Sequence, residues 1–226
     1  TLGVITAAVL KLFQRPAARH TAFIAFNDLD STIELLPLAR AASADTLTAF
    51  EIMSRRAFTF ATTHAEGASD PFDQLHEWYA LVEFSTGVGQ DKMGVRLEEL
   101  LADAFETGLI ADAIIAQSED QRARLWFLRE SIPQAQASEG ASIKNDITVP
   151  LSKVRHFIRE ADKAMQVLCP GIRPVAFGHA GDGNIHYNLT QPEGMDRQDF
   201  LDRWWEVAGR VDDIAHQMSG SFSAEH

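Results

Sequence analysis

The sequence predicts an α+β fold, one large and mainly antiparallel sheet with helices packed on it. Three observations carry this. Short runs rich in β-branched and aromatic residues alternate with longer stretches whose apolar residues recur every three or four positions. One pair of runs flanks a Gly- and Asp-rich turn and reads as a hairpin. The composition, 46% apolar and 23% charged with 14 Gly and 8 Pro, is that of a folded globular chain. It excludes disorder, collagen and coiled coil, and 226 residues suit one large domain better than two.

Taken in order, residues 2–10 (LGVITAAVL) open as a strand-like apolar run closed by Lys11, with 14–16 (QRP) as a linker behind it. Residues 22–26 (AFIAF) are a β-rich run. A helix over 30–42 follows, with Ser31 and Glu34 at capping-box spacing and Pro37 expected to kink or shorten it. Residues 47–53 and 78–84 (WYALVEF) read as strands. Met93, Leu97, Leu100, Leu101, Ala104 and Phe105 recur at helical spacing, and Gly108 is placed to stop that helix. Residues 113–116 form a short strand, and 119–137 a helix that Pro133 bends or ends. An alternating strand follows at 143–149, then a helix at 154–168. Strands at 175–177 and 185–189 flank Gly-His-Ala-Gly-Asp-Gly-Asn. Leu201, Trp204, Ala208, Val211, Ala215 and Met218 make one face of a final helix.

Twenty basic residues against 32 acidic give a net charge of -12 and a pI near 5.0. That field repels phosphate, which argues against nucleic acid or anionic membrane as the main partner. A small anionic substrate is not, since a few local cations overrule a net charge. The single cysteine, Cys169, forbids an internal disulfide and fits a reducing compartment. No run approaches the roughly 20 apolar residues of a membrane helix, and no signal-peptide pattern is present. The expected location is the cytoplasm, the inner face of a membrane as a peripheral protein, or an organelle matrix. The sequence begins and stops in mid-pattern, so a piece of a longer protein is expected.

Chemistry concentrates in residues 177–189, FGHAGDGNIHYNL. A tight Asp-Gly turn centred between Asp182 and Gly183 would set His179 directly opposite His186. Opposed residues share a face, with Cβ atoms about 4.5–5.5 Å apart. Two imidazoles there reach one ion at about 2.0–2.1 Å each, although such pairs also occur as ordinary hydrogen-bonded histidines. Asn188, two residues on, points the same way. A catalytic zinc needs a third protein ligand. Near the carboxyl end Glu225 and His226 offer a ligand and a base, or an incidental frayed terminus. Arg129 and Lys144 suit a carboxylate substrate, Arg gripping it bidentately; they equally suit an ion pair with a nearby acid and a solvated surface amine.

Taken together these blocks resemble a family, the FAD-linked oxidases of the vanillyl-alcohol-oxidase type, in the branch of the D-2-hydroxyacid dehydrogenases. TLGVITAAVLKLFQRP is similar to the end of that family's FAD-binding domain. LWFLRESI, IKNDITVPLSKV, FGHAGDGNIHYNL and SGSFSAEH resemble motifs of its substrate (cap) domain, in the family's order. The resemblance implies a ferredoxin-like cap domain over 17–226, truncated at its C-terminal end, after the end of the FAD-binding domain and linker at 1–16. It implies a divalent metal, usually zinc, on His179, His186 and Glu225, with His226 as the base. Arg129, Lys144 and Asn188 would hold a small 2-hydroxyacid that is oxidised to the 2-oxoacid by hydride transfer to FAD. The family's FAD-binding region would precede Thr1, so residues 1–226 alone are expected to bind no FAD and to be inactive. The resemblance names no electron acceptor and leaves a homodimer open. At Pro133, four residues after Arg129, the sequence departs from D-2-hydroxyglutarate enzymes, which tend to carry a hydroxyl there. A metal-dependent hydrolase and a non-catalytic ligand-binding module are the rival classes; neither explains the ordered cap motifs.

Overall fold

The computed structural model describes residues 4–12, 15–44, 46–87 and 92–222. Among these residues nine strands form one sheet in the order β4-β1-β3-β2-β7-β8-β6-β9, with β5 also on β8, and the strand pairings are antiparallel. The strands are β1 (Ala18–Phe26), β2 (Leu47–Ser54), β3 (Trp78–Thr86), β4 (Asp112–Ile115), β5 (Ser142–Ile143), β6 (Asp146–Thr148), β7 (Arg173–His179), β8 (Asn184–Thr190) and β9 (Ser221–Phe222). The helices are α1 (Leu29–Ser43), α2 (Arg55–His64), α3 (Met93–Glu106), α4 (Glu119–Glu130), α5 (Ile132–Ala137), α6 (Val154–Leu168), α7 (Arg197–Leu201) and α8 (Trp204–Gln217). With α1 joining β1 to β2 and α3 joining β3 to β4, the order β4-β1-β3-β2 is that of a ferredoxin-like unit, which the hairpin β7–β8 extends.

Alternation along each strand sends successive side chains to opposite faces. On one face Ala22, Ile24, Ile52, Val82, Ile185 and Leu189 pack beneath α1, α3, α6 and α8. On the other Phe23, Met53, Tyr79, Leu81, Val175 and Phe177 pack beneath α2, α4 and α5. The central strands are therefore apolar on both sides and read as near-continuous hydrophobic runs.

Several local expectations are corrected. The cap of α1 is Asp28, whose carboxylate accepts from the Ser31 amide at 2.8 Å, not a Ser31–Glu34 box. Pro37 does not shorten α1; it stands on the exposed side, and burial of Ile33, Leu35, Leu36 and Ala39 outweighs the one missing hydrogen bond. The expected helix over 119–137 breaks at Ser131 into α4 and α5, with Pro133 in the first turn of α5, where its missing N–H costs nothing. The strand expected over 143–149 is split at Lys144 and Asn145. Residues 4–12 join no strand or helix, and Val4, Ile5, Val9, Leu10 and Leu12 are each at least 79% exposed. No strand among the described residues offers that run a partner. Gly108, at φ 73°, ends α3 as expected.

Candidate functional site

The helix-poor end of the second face carries the chemistry. Glu51 on β2 stands opposite His179 on β7. Asn184 on β8 stands opposite His179, His186 opposite Phe177, and Asp146 on β6 opposite His186. All these positions share the face of Met53 and Phe177 by alternation. The hairpin register corrects the sequence reading, because His179 and His186 are diagonal neighbours and not directly opposed. The connecting loop is 180–183, centred one residue earlier than expected. Gly183 is not at the turn's centre but at its end, at φ 80°, with the backbone of Val149 against it. A Cβ there would lie 2.2 Å from the Val149 carbonyl oxygen, and Gly183 O accepts from the Val149 amide at 3.1 Å. Each partner moves by two residues, which preserves the face. The two imidazole rings remain 5.6 Å apart between centroids, edge to face.

Each imidazole is braced by a buried carboxylate. His179 Nδ1 meets Glu51 Oε1 at 2.6 Å, and His186 Nδ1 is hydrogen-bonded to Asp146 Oδ1. The two acids expose only 6% and 2% of their side chains. Burial acts to raise the Glu51 pKa, but the His179 hydrogen bond and the Arg129 charge outweigh it and hold the carboxyl below its ordinary value. The same hydrogen bond raises His179, against the opposing effect of burial. His179 borders a cleft of about 320 Å³ that Arg40, Thr48, Glu51 and Asp182 also line. A larger cleft of about 640 Å³ lies apart from the pair and mixes Arg55, Arg56 and Arg173 with Glu77, Glu139 and Glu193.

Arg129, in the last turn of α4, is buried. Its Nε donates to Glu51 Oε2 at 2.8 Å, and its guanidinium lies 5.0 Å from the centre of the Phe177 ring. That ring is 4.9 Å from His186, so Glu51, Arg129, Phe177 and the two histidines form a closed circuit of contacts. A second tie holds α4 on the sheet: Glu83 Oε2 accepts from Arg122 Nε at 2.7 Å, Trp126 Nε1 at 3.0 Å and Thr21 Oγ1 at 2.8 Å.

Asn188 is buried beside the pair and engaged at both ends of its amide. It donates to Gln136 at 3.0 Å and accepts from the Asn145 amide at 3.3 Å. Lys144 is exposed between β5 and β6; the offset shared by Ser142–Thr190 and Asp146–His186 sets it across from Asn188. Glu225 and His226 lie outside the described residues. The described chain reaches β9, where Phe222 pairs with Ile147, the neighbour of Asp146.

Glu51, Asp146, Glu83 and Gln136 escaped the sequence reading. A signal for the first and third existed: each is a lone acid inside an otherwise apolar strand, FEIM and LVEF, which demands a buried partner.

As a donor set, the pair suits a divalent cation. A metal-binding histidine usually gives its other ring N–H to a carboxylate, and where Nδ1 is the donor of that bond Nε2 is left as an acceptor. Among the described residues no group of three His, Cys, Asp or Glu is placed to hold an ion, so the pair supplies two ligands.

The sheet order, the helices over both its faces and the braced histidine hairpin define a class of domain. The chain belongs to the FAD linked oxidases, C-terminal domain family, whose model matches residues 15–226. It is 31% identical over 226 residues to a D-2-hydroxyglutarate dehydrogenase of Xanthomonas citri pv. viticola, covering all of this chain and 46% of the relative. It is 33% identical over 230 residues to a D-2-hydroxyglutarate dehydrogenase of Stutzerimonas stutzeri, covering all of this chain and 47% of the relative. The chain thus spans about half the length of these curated relatives. Its fold is shared by a p-cresol methylhydroxylase with substrate bound, at a TM-score of 0.61 and 11% identity, over 91% of this chain and 45% of that one.

Proposed function

We propose that this chain is the substrate- and metal-binding domain of a flavin-dependent dehydrogenase that oxidises a small D-2-hydroxyacid to the 2-oxoacid. The observation that carries the reading is the bracing of His179 and His186, each through Nδ1 to its own buried carboxylate, on a domain of the FAD-linked oxidase family. His179, His186 and Glu225 are the proposed ligands, and zinc the proposed metal. When bound, the ion supplies a Lewis acid that lowers the pKa of a hydroxyl, and FAD, held mainly by residues outside 1–226, supplies the hydride acceptor.

This chain's residues do the positioning. Arg129 spends Nε on Glu51 and keeps its two terminal nitrogens for the substrate carboxylate, in the bidentate geometry Arg favours. Lys144 adds a second, exposed cation, and Asn188 supplies a fixed amide that its buried partners hold in one orientation. His226 is the proposed base for the hydroxyl proton. In the domain boundary we propose, residues 1–16 belong to the connection with the flavin domain. No helix among the described residues is long and apolar enough to cross a membrane; a cytoplasmic or organelle-matrix location is part of the proposal.

The test is a screen of D-lactate, D-2-hydroxyglutarate, glycolate and larger hydroxyacids on the full-length protein, with an artificial electron acceptor. The reading expects a yellow protein whose activity disappears with a chelator and returns with zinc. A colourless protein that hydrolyses a substrate would replace it with the hydrolase class. Activity indifferent to chelator, in a protein free of metal by elemental analysis, would remove the metal.

A further inference from the structure

Glu51 is the point where the proposed metal ligand and the proposed substrate cation meet. One oxygen of its carboxylate takes His179 Nδ1 at 2.6 Å and the other takes Arg129 Nε at 2.8 Å. Glu51 is 4% exposed as a residue and directly opposes His179 across β2 and β7. We infer that Glu51 is a positioning residue that fixes His179 in the tautomer carrying its proton on Nδ1, so that Nε2 faces outward as a lone pair. This rests on the metal reading above and says what prepares the ligand.

The argument is one of donors and acceptors. An ionised carboxylate only accepts, so both groups around it must donate. Arg129 satisfies this unconditionally, because a guanidinium in a protein stays protonated and has no acceptor. His179 satisfies it only with the proton on Nδ1. Any group at position 51 that offers one acceptor and one donor breaks the arrangement in a defined direction. A glutamine must turn its oxygen to Arg129, since Arg129 cannot accept. Its NH2 then faces His179, which can accept on Nδ1 only by carrying its proton on Nε2, the nitrogen a metal needs. The swap keeps the shape but removes the counter-charge of buried Arg129, which lowers stability, so the variant's fold is checked before its tautomer is read. His186 is an internal reference, because its Nδ1 partner is Asp146 and not Glu51.

The experiment compares the full-length protein with its Glu51→Gln variant. Ring 15N spectra, taken metal-free at alkaline pH where imidazole is neutral, report the tautomers. Competition between the protein and a chromophoric chelator for zinc(II) reports affinity. The expected result is an Nδ1-protonated His179 in the unaltered chain, an Nε2-protonated His179 in Glu51→Gln, and an unchanged His186. Zinc affinity falls in the variant by about 10- to 100-fold, the usual cost of losing a partner that orients a metal ligand. Glu83→Gln, which removes a buried carboxylate from the same face without touching either imidazole, leaves zinc affinity within a factor of about two. An Nε2-protonated His179 in the unaltered chain overturns the inference whether or not the variant folds. Unchanged tautomer or unchanged affinity in a folded Glu51→Gln overturns it with the metal reading intact. Failure of the unaltered chain to bind zinc, with the Nδ1 tautomer present, instead removes the metal reading and the coupling with it.

Discussion

The two faces of the sheet are built from different physics. Beneath α1, α3, α6 and α8 the contact is a broad apolar layer in which Phe157, Tyr187, Leu36 and Val82 have no exposed surface. Its attraction is non-directional and scales with area removed from water. Beneath α2, α4 and α5 the apolar cluster is smaller, and it gives way to Thr21, Glu83, Glu51, Asn188 and Arg129, every one buried. Those groups are satisfied one by one, through bonds with a direction. The first face can absorb a repacking; the second holds atoms at fixed distances, which is what a binding site requires. Truncating the first should therefore cost most in stability and least in site geometry. Phe157, with no exposed surface and edge-on to Tyr187 at 5.5 Å, is the sharpest case. Phe157→Ala is expected to lower unfolding free energy by about 3–5 kcal/mol, measured by denaturant unfolding, while zinc affinity of the folded protein is unchanged. Weakening of the proposed zinc site in that variant would mean that the two faces are not separable.

A smaller effect is expected on the polar face, and it carries a pH signature. Glu83 is 7% exposed at its side chain. Burial raises its pKa, but hydrogen bonds from Arg122, Trp126 and Thr21 outweigh burial and leave it below the ordinary value. A carboxyl depressed in the folded state contributes stability that is fully present above its unfolded pKa of about 4.3 and is lost as pH falls through the folded value. Glu83→Gln keeps the shape and removes the charge, at a cost of about 2 kcal/mol at neutral pH. The gap between the two proteins should close as pH drops below about 4, in urea-unfolding midpoints taken across that range. A gap that stays constant with pH would show that charge is not what Glu83 contributes.

The same division explains what could be read from the sequence. The apolar face follows from periodicity: residues 154–168 carry Val154, Phe157, Ile158, Ala161 and Met165 at helical spacing, and α6 occupies that span. The fold class follows likewise, because strands such as AFIAF and WYALVEF are apolar on both sides. Helix α2 was missed because Phe58, Thr59, Phe60 and Thr62 favour strands, although Ser54 caps it and Ala57, Phe58 and Ala61 mark a buried face. On the polar face the histidine pair was legible because a hairpin is local. Its braces were not. Glu51 lies 128 positions from His179 and Asp146 lies 40 from His186, and no spacing rule spans those separations. Even in the hairpin the sequence located the face and missed the register, since Val149, not the Asp-Gly pair itself, decides where Gly183 sits.

Geometry alone does not separate the faces, and the outer surface of the apolar layer shows why. Arg159 on α6 donates to Asp30 on α1 at 2.6 Å, shorter than the 2.8 Å between Arg129 and Glu51. Side-chain exposure is 50% and 39% in the first pair and 9% and 6% in the second. Water already solvates Arg159 and Asp30, so their attraction is weak and screened by salt, whereas Arg129 would be left buried without a counter-charge. Arg159→Gln is accordingly expected to cost less than about 1 kcal/mol at low ionic strength, read from denaturant midpoints, and nothing measurable at about 1 M salt, where the Debye length is near 3 Å. Asp30 keeps a second cation in Arg155 at 3.6 Å, which reduces the effect further. A loss comparable to that of Glu83→Gln, persisting in salt, would mean that contact distance and not burial ranks the ion pairs of this fold.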